Sequence, residues 1–321
     1  MNRYYLAPLE GITTHIYRRA YHACFHPMDK YFTPFLVPHT KRGFNTRELN
    51  DILPENNEGM RLVPQILTND AKGFLQTVEK LEDYGYEEVN LNLGCPSKTV
   101  VSKNRGSGFL AMPDELDRFL DEIYRGTQVR ISIKTRIGKH SPDEFGRLLK
   151  IYNQYPVEEL IIHPRLQQDF YKNTPNLEVF AEAVRESRNP LCYNGDIFSV
   201  ADRDRIKERF PDVKTYMMGR GILVNPGLAG ELAGEEPADW KRIRRFHDQI
   251  YEDYQRISMG DKNVLFKMKE MWTYLICMFP EADRYGKKIK KAKSAGEYEA
   301  AVAALFRERE PAPQAGYRAA L

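Results

Sequence analysis

A single cysteine between a glycine and a proline is the residue of this sequence best placed to do chemistry. The stretch Asn92-Leu93-Gly94-Cys95-Pro96 directly follows the apolar run 88–91, so a short strand would deliver Cys95 into an exposed turn. An ordinary thiol, with a pKa of about 8.5, is mostly protonated at neutral pH. Cys95 could therefore act as a general acid, or as a nucleophile if a base lies beside it. Because most lone cysteines are small buried residues, this stretch alone leaves the question open.

Cations and glycines follow the cysteine closely in the chain. Lys98, Lys103 and Arg105 come within the next ten residues, and Gly106 and Gly108 stand directly behind them. A loop of this composition suits a partner that carries phosphate groups, because cations neutralise phosphates and glycines allow close approach of the backbone.

The elements that must position this turn follow a repeating pattern. Short apolar runs recur along the first part of the chain, at residues 4–7, 30–33, 62–66, 88–91, 129–134, 159–163, 191–194 and 215–219. Amphipathic segments lie between them, at residues 71–84, 113–124, 142–155 and 177–186. Strands that alternate with helices predict parallel pairing. Eight such units in about 230 residues predict a (β/α)8 TIM barrel, with a doubly wound open sheet as the alternative.

The rest of the chain has a helical pattern. Apolar residues such as Ile250, Tyr254 and Ile257 recur there at helical spacing. We predict four helices, at residues 239–257, 262–278, 282–292 and 297–309, and a frayed or disordered end at 310–316. The predicted domains are therefore a barrel over residues 1–238 and a small all-α helical bundle over residues 239–321.

Composition limits the compartment and the metal chemistry. The 321 residues are 42% hydrophobic and 29% charged, as in a soluble globular protein. The four cysteines form no C-x-x-C pair, which argues against a zinc site or disulfides and favours a reducing cytosol. We find no signal-peptide layout and no apolar run near the roughly 20 residues of a membrane span. A cytoplasmic monomer without metal or membrane contact is expected.

Positive charge is concentrated in the predicted helical domain. Residues 239–321 carry 17 Lys and Arg against 12 Asp and Glu, whereas the remainder carries 31 against 33. Six cations fall within residues 284–293, and at helical spacing Lys287, Lys290 and Lys291 share one face. This lysine ridge, as we call those three residues, indicates a polyanionic partner, and a solvated helix face is the alternative.

Polar residues and glycines collect where the predicted strands end, which is where TIM barrels place their chemistry. The positions are Pro8, Gln65, Asn92, Cys95, Lys134, Arg136, His163, Arg165, Asn194, Gly195, Asp196, Gly219 and Arg220. A lysine that ends an apolar strand needs an anionic partner, so we expect Lys134 to meet a flavin ring or a phosphate. A Schiff-base lysine is the alternative. His163 lacks metal-ligand spacing, so we expect its ring to hydrogen-bond a cofactor.

The last two loops are candidates for binding a phosphate. Glycines at positions 195, 219 and 221 let the backbone approach closely, and Arg220 adds charge. Position 224 is Val224, so the dinucleotide-binding fingerprint is not met. Ordinary turn formation is the alternative role for these glycines.

Together these motifs resemble those of the tRNA-dihydrouridine synthases, which are FMN enzymes with a barrel and a C-terminal helical domain. The resemblance runs through seven motifs in order, at residues 6–11, 64–66, 92–98, 133–138, 162–165, 194–197 and 218–221. It implies a flavin-binding set of Pro8, Gln65, Lys134, His163, Asn194, Gly195, Asp196, Gly219 and Arg220. It also implies that Cys95 protonates the substrate and that Asn92 and Arg165 lie near the target base.

The resemblance also implies a reaction. NADPH would reduce FMN, which would pass a hydride to C6 of a uracil in the D-loop of tRNA while Cys95 gives a proton to C5. Phosphates of the tRNA would meet cations of both domains, namely Lys98, Lys103, Arg105, Lys287, Lys290 and Lys291. The chain departs from the family pattern at Pro164 and Leu166, where glycine and threonine are usual, so the shape of the loop 165–171 is not implied.

Three other functions remain open at this point. A dihydroorotate dehydrogenase-like FMN enzyme acting on a free pyrimidine would share the barrel and the cysteine turn, but would have no use for the basic helical domain. A Schiff-base enzyme using Lys134 would bind no flavin. A barrel that binds RNA without catalysis would not need Cys95.

Overall fold

The computed structural model describes residues 2–39, 43–257 and 260–313. Its strands are β1 Arg3–Leu6, β2 Lys30–Phe32, β3 Leu62–Val63, β4 Gln65–Ile66, β5 Glu88–Leu93, β6 Arg130–Gly138, β7 Leu160–Leu166, β8 Leu191–Tyr193 and β9 Thr215–Met218. Its first helices are α1 His15–Cys24, α2 Thr46–Ile52, α3 Ala71–Glu82, α4 Lys98–Val101, α5 Pro113–Gly126, α6 Glu144–Tyr152 and α7 Leu177–Glu186. The others are α8 Val200–Arg209, α9 Arg220–Val224, α10 Leu228–Ala233, α11 Trp240–Ile257, α12 Asp261–Leu275, α13 Asp283–Lys291 and α14 Ala295–Glu308.

The strands form one parallel sheet that nearly closes on itself, in the order β3-β2-β1-β9-β8-β7-β6-β5-β4. The two outer members of this order, β3 and β4, are consecutive in the chain and are separated only by Pro64; β3 pairs with β2, and β4 pairs with β5. Proline has no N–H to give to a ladder, so it interrupts what the sequence predicts as one strand over residues 62–66. The predicted (β/α)8 barrel is confirmed, with its third strand split in two.

The inside of the barrel carries a polar layer because side chains alternate along buried strands. All six residues of β5 are buried, as expected for a parallel strand covered on both faces. Val89, Leu91 and Leu93 point to one face and Asn90 and Asn92 to the other. The two asparagines therefore lie on the same side of β5, where they can bond to neighbouring strands.

Two strands run further than the sequence predicts. Strand β6 continues four residues past Lys134, and β7 continues three residues past His163. The prediction that these residues end their strands is therefore wrong, as is the placement of Asn92 after β5. The reason is that Arg136 and Arg165 are buried within the strands and hydrogen-bonded there, so a polar residue does not mark a strand end.

The chain divides into two compact units that do not follow its order. The first comprises Met1–Pro8, Asp29–Asp196 and Ile206–Met217, and contains nearly all of the sheet. The second comprises Leu9–Met28, Ile197–Arg205 and Met218–Leu321. The boundary at 238/239 stays a prediction.

The second unit contains the four helices predicted for the end of the chain. Helices α11 to α14 begin and end within three residues of the predicted bounds, and a 3-10 turn, Ile276–Met278, extends α12. Helix α1 packs on α11, with the ring of Tyr17 edge-on to Phe246 at 5.3 Å. Of the predicted frayed end, residues 314–316 lie outside the described residues. None of the helices that the structure describes combines the length and apolar character that a bilayer crossing requires.

Candidate active site

The turn that carries Cys95 is fixed by hydrogen bonds to both the backbone N–H and the carbonyl oxygen of the cysteine. The side-chain oxygen Oδ1 of Asn92 accepts hydrogen bonds from the backbone N–H groups of Gly94 and Cys95, both at 3.0 Å. The carbonyl oxygen of Cys95 accepts bonds from Ser107, from its N–H at 3.1 Å and from its hydroxyl at 2.8 Å. The side chain of Cys95 is half-buried, so the turn presents a thiol in a fixed place that a substrate can reach.

Gly106 supports this turn from behind. Its φ is +55°, and a Cβ there would lie 2.8 Å from the carbonyl oxygen of Cys95 and 3.1 Å from its Cβ. Only glycine fits both the backbone angle and the space. Gly106 and Gly108 are buried, so their observed role is close packing. Of the nearby cations, Lys98 and Lys103 are exposed, whereas half-buried Arg105 bonds Oδ1 of Asn69 at 3.3 Å.

A chain of side-chain amides connects this turn to the barrel interior. Nδ2 of Asn92 donates to Oε1 of Gln65 at 2.7 Å, and Nε2 of Gln65 donates to Oδ1 of Asn90 at 2.8 Å. Asn90 in turn donates to the hydroxyl of Ser132 at 3.0 Å. Each amide is held in position by a hydrogen bond to the next. The bonds to Gln65 and Asn90 use one N–H of the Asn92 and Gln65 side chains respectively, which leaves the second N–H of each amide for a ligand. Asn90 and Ser132 were not expected from the sequence.

Lys134 is a cation that has no anionic partner among the residues that the structure describes. It pairs in register with Asn92, and a Cβ on Gly94 would lie 3.9 Å from its Nζ. Across the described ranges its ammonium group makes no hydrogen bond or ion pair. Burial, and to a lesser extent the neighbouring Arg136 guanidinium, lower the pKa of Lys134 to about 8. An anion placed here would compensate this charge and raise the pKa of the lysine again.

Arg136 is a brace between two loops. Its guanidinium donates to the carbonyl oxygens of Gly94 at 2.9 Å, Leu166 at 2.8 Å and Phe170 at 3.0 Å. Phe170 has φ +50° and ψ −95°, an unfavourable backbone conformation for a non-glycine residue. The ring of Tyr171 lies 5.5 Å from the guanidinium. Arg136 therefore fixes the loop 165–171, whose shape the sequence left open, against the cysteine turn.

His163, Arg165 and Asp196 form a second cluster. Nη1 of Arg165 donates to Nε2 of His163 at 3.0 Å, and the guanidinium forms a bidentate ion pair with Asp196 at 2.9 and 2.5 Å. His163 and Arg165 are buried, whereas Asp196 is about a third exposed. The resemblance implied that Arg165 lies near the target base and Asp196 near the flavin, and the structure brings these two residues together.

The remaining predicted positions of the first unit lie around strand ends. Pro8 lies two residues beyond the end of β1 and is half-buried. Asn194 follows β8 and donates through Nδ2 to the carbonyl oxygen of Met217 at 2.9 Å. A Cβ on Gly195 would lie 2.1 Å from the Tyr193 hydroxyl, so this glycine is needed for packing.

The second unit contains the loop after β9. Gly219 directly precedes α9, whose first residue is Arg220, and the Arg220 guanidinium lies 5.5 Å from the ring of Phe198. A Cβ on Gly221 would lie 2.0 Å from the carbonyl oxygen of Ile197, so residue 221 must be glycine for that strand-end loop to pack.

The lysine ridge lies on α13 in the second unit. Helix α13 buries Tyr285 and Ile289, and the three ridge lysines are exposed on its remaining surface. They form no hydrogen bond or ion pair with any part of the chain that the structure describes. Arg284, by contrast, pairs with Glu308 at 2.9 Å.

The donor set of the first unit fits a flavin. A polar ring with an anionic edge requires neutral hydrogen-bond donors and a cation. The buried amides of Gln65 and Asn92 and the imidazole of His163 are neutral groups of this kind, and the Lys134 ammonium is the cation. No group of three or more His, Cys, Asp or Glu side chains among the residues described could hold a metal ion.

Comparison with known proteins places nearly the whole chain in one family. The model of the dihydrouridine synthase family matches residues 5–310. A probable tRNA-dihydrouridine synthase of Staphylococcus aureus is 26% identical over 261 residues, covering 78% of each chain. The tRNA-dihydrouridine synthase B of Pasteurella multocida is 26% identical over 228 residues, covering 71% of this chain and 68% of that protein.

A solved structure shows the same fold at low identity. Morphinone reductase in complex with tetrahydroNAD superposes with a TM-score of 0.52 at 12% identity, over 74% of this chain and 88% of that one. The motifs, the barrel and the family match, which covers nearly the whole chain, lead to one conclusion. The chain belongs to the dihydrouridine synthase family, whose flavin-dependent oxidoreductases reduce uridine in tRNA.

Proposed function

We propose that this chain reduces the C5–C6 double bond of specific uridines in the D-loop of tRNA, with Cys95 as the proton donor. The observation that carries the proposal is the cysteine turn, which is fixed by Asn92 and Gly106. It lies in the same unit as Lys134, which pairs with no anion in the described part of the chain. Family membership sets aside the dihydroorotate, Schiff-base and non-catalytic alternatives.

FMN is the proposed cofactor. The residues that would hold it are Pro8, Gln65, Lys134, His163, Asn194, Gly195, Asp196, Gly219 and Arg220. When bound and reduced by NADPH, FMN supplies the hydride that C6 of the uracil receives. Asp196 would act through Arg165, since its carboxylate is engaged with that guanidinium.

The protein itself contributes the Cys95 proton and the positive charge of Lys134, both held in fixed positions. The Sγ of Cys95 would give its proton to C5, and the two bonds from Asn92 to the turn keep that atom in place. The Lys134 ammonium would stabilise negative charge that develops beside it, an interaction strengthened by its burial.

The tRNA must be held while the target base leaves its stack, which costs a few kcal/mol. We propose that Lys98, Lys103, Arg105 and the lysine ridge offset this cost by neutralising phosphates. The exposure of Lys98, Lys103 and the ridge, and the absence of ion pairs at the ridge within the described part of the chain, support this assignment. NADPH as the reductant, the cytoplasm as the location and a monomeric state belong to the same proposal.

Replacing the thiol tests the proton donor. We expect Cys95→Ala to bind FMN and to be reduced by NADPH, yet to form dihydrouridine at least about 100-fold more slowly, because general-acid catalysis typically contributes that factor or more. Dihydrouridine is measured in a tRNA transcript under anaerobic conditions, with orotate as the free-pyrimidine comparison. Cys24→Ala, which removes a buried thiol of α1, is the control and should keep full activity. Normal product yield from Cys95→Ala would refute the role.

Reversing the charge of the lysine ridge tests the tRNA surface. We expect the triple variant Lys287→Glu, Lys290→Glu and Lys291→Glu to weaken tRNA binding. The plot of log association constant against log salt concentration should become shallower, its negative slope shrinking in magnitude by roughly two to three. The control reverses three exposed lysines of helices α3, α6 and α8, Lys72, Lys150 and Lys207, and so has the same net charge. Equal slopes for the two triple variants would assign the ridge to a solvated helix face.

A further inference from the structure

Arg165 uses most of its hydrogen-bonding capacity inside the protein. Nε donates to the carbonyl oxygen of Asn173 at 2.5 Å, Nη1 donates to His163 and Asp196, and Nη2 donates to Asp196. Four of the five N–H groups of a guanidinium are thereby engaged. Its side chain is only 1% exposed. A residue committed in this way acts through its neighbours.

The contact with His163 determines where that ring carries its proton. A guanidinium has only donors, so Nε2 of His163 must accept the bond at 3.0 Å and cannot itself hold a proton. We propose that Arg165, anchored by Asp196, is a positioning residue that fixes His163 as the tautomer protonated on Nδ1.

Three further contacts keep this arrangement rigid. His163 and Arg165 are two residues apart on β7, so their side chains leave the strand on the same face. The bidentate pair with Asp196 and the bond to Asn173 hold the guanidinium plane from two sides. The ring of Tyr171 lies 5.9 Å from the imidazole and limits its rotation.

The consequence for the active site rests on the proposed function. With its proton on Nδ1, His163 offers FMN a hydrogen-bond donor in place of an acceptor. Arg165 has its charge neutralised by Asp196, so it contributes to recognition by orienting the imidazole and not by direct contact with the uracil. The tautomer itself is a property of the protein without cofactor.

Nuclear magnetic resonance of the full-length protein with 15N-labelled histidine tests the tautomer. The chain has seven histidines, and the signals lost in His163→Gln identify the ring in question. We expect His163 of the wild type to show a protonated Nδ1 and an unprotonated Nε2. Signals of an Nε2-protonated ring in the wild type would overturn the proposal.

Two variants test the cause. Asp196→Asn keeps the shape but removes the ion pair, and Arg165→Met removes the donor; in both, the His163 signals should move to an average of two tautomers. Unchanged signals in both, with wild-type circular dichroism, would overturn the role of Arg165. If one variant fails to fold, the other provides the test, since each breaks a different part of the chain of bonds.

Binding of FMN provides a second readout. We expect Asp196→Asn to bind FMN about three- to tenfold more weakly, because one neutral hydrogen bond to the cofactor is then misplaced. A wild type with the Nδ1–H tautomer that does not reduce tRNA would refute the proposed function and leave this inference standing. A wild-type protein that reduces tRNA but has its His163 proton on Nε2 would support the proposed function and refute this inference.

Discussion

Two lysines of the same barrel, Lys30 and Lys134, have opposite surroundings. Lys30, the first residue of β2, lies 2.7 Å from Glu88 and 3.9 Å from Glu159 at the amino ends of the strands. Lys134 is the central residue of β6, beside the cysteine turn, without an acidic partner among the described residues. Burial of a charge is costly unless an opposite charge compensates it, so only Lys30 is satisfied by the fold itself.

The partners at the amino ends form a connected set. Glu159 accepts a hydrogen bond from the hydroxyl of Tyr5 at 3.2 Å and forms an ion pair with Arg3 at 3.2 Å. Glu88 also meets Arg61 at 3.4 Å. This set closes one end of the barrel with charges that neutralise one another, which is consistent with a role in stability.

The contrast teaches what an uncompensated charge indicates. The pKa of Lys134 falls to about 8 because the fold buries it and places Arg136 nearby. A protein retains such a residue when a ligand supplies the missing anion, and stability is then lower than it would be without the residue. The two lysines should therefore respond oppositely to the same substitution.

Lys30→Met should give the larger effect. Removing this ammonium leaves Glu88 and Glu159 buried, and the cations that still pair with them in the described structure are the more exposed Arg61 and Arg3. We therefore expect a loss of about 3 kcal/mol in the free energy of unfolding. Urea unfolding followed by circular dichroism measures it. The double variant Lys30→Met with Glu88→Gln should recover part of the loss, because it removes one of the orphaned carboxylates. A neutral effect of Lys30→Met would mean that the amino-end charges do not stabilise the barrel.

The sequence predicts the strands that carry the two lysines, but not the residues that each lysine contacts. Apolar runs locate the strands, and helical spacing locates α11 to α14, because both patterns are local. Lys30 and Glu88 stand at the starts of predicted strands, where a charged residue would be expected at the surface. Only closure of the sheet brings the starts of several strands together, and closure is not a local property.

In the candidate site, too, local features are predictable from the sequence and contacts between distant residues are not. The cysteine turn and Lys134 are predictable because residue type and strand position suffice. The pairing of Arg165 with Asp196, 31 residues apart, depends on the packing of β7 beside β8. The brace formed by Arg136 likewise depends on loops from two different strands. Arg136 and Arg165 each stand two residues beyond an apolar run. That position is a signal that could have suggested either contact, since an arginine must find acceptors when it is buried.

Lys134→Met should stabilise the protein without cofactor, by about 2 kcal/mol at pH 7. The pKa of Lys134 is about 8 in the folded chain, against an ordinary 10.5. Between pH 8 and 10.5 the unfolded chain therefore holds a proton that the folded chain lacks, and the free energy of unfolding rises with pH in that window. Below pH 8 the full cost of the buried charge is present.

The variant should lose this pH-dependent component, and its stability advantage should shrink as pH rises. Urea midpoints at pH 7, 8, 9 and 10, compared between wild type and Lys134→Met, provide the measurement. A variant that is destabilised to the same degree as Lys30→Met would show that Lys134 is a structural cation, and the comparison would fail.

The smallest effect concerns the thiol itself. The electrostatic interaction between Cys95 and Lys134 is mutual: a thiolate at Cys95 favours the charged lysine, and the ammonium favours the thiolate. Alkylation proceeds through the thiolate, so we expect Lys134→Met to slow iodoacetamide labelling of Cys95 about two- to fivefold at pH 7. Mass spectrometry of the labelled peptide separates Cys95 from Cys24, Cys192 and Cys277, which are buried. Lys30→Met is the matched control, because it removes a buried ammonium from the opposite end of the barrel. Equal slowing by both variants would indicate a general change in the fold. Slowing by Lys134→Met alone would show that the Lys134 ammonium acts on the Cys95 sulfur.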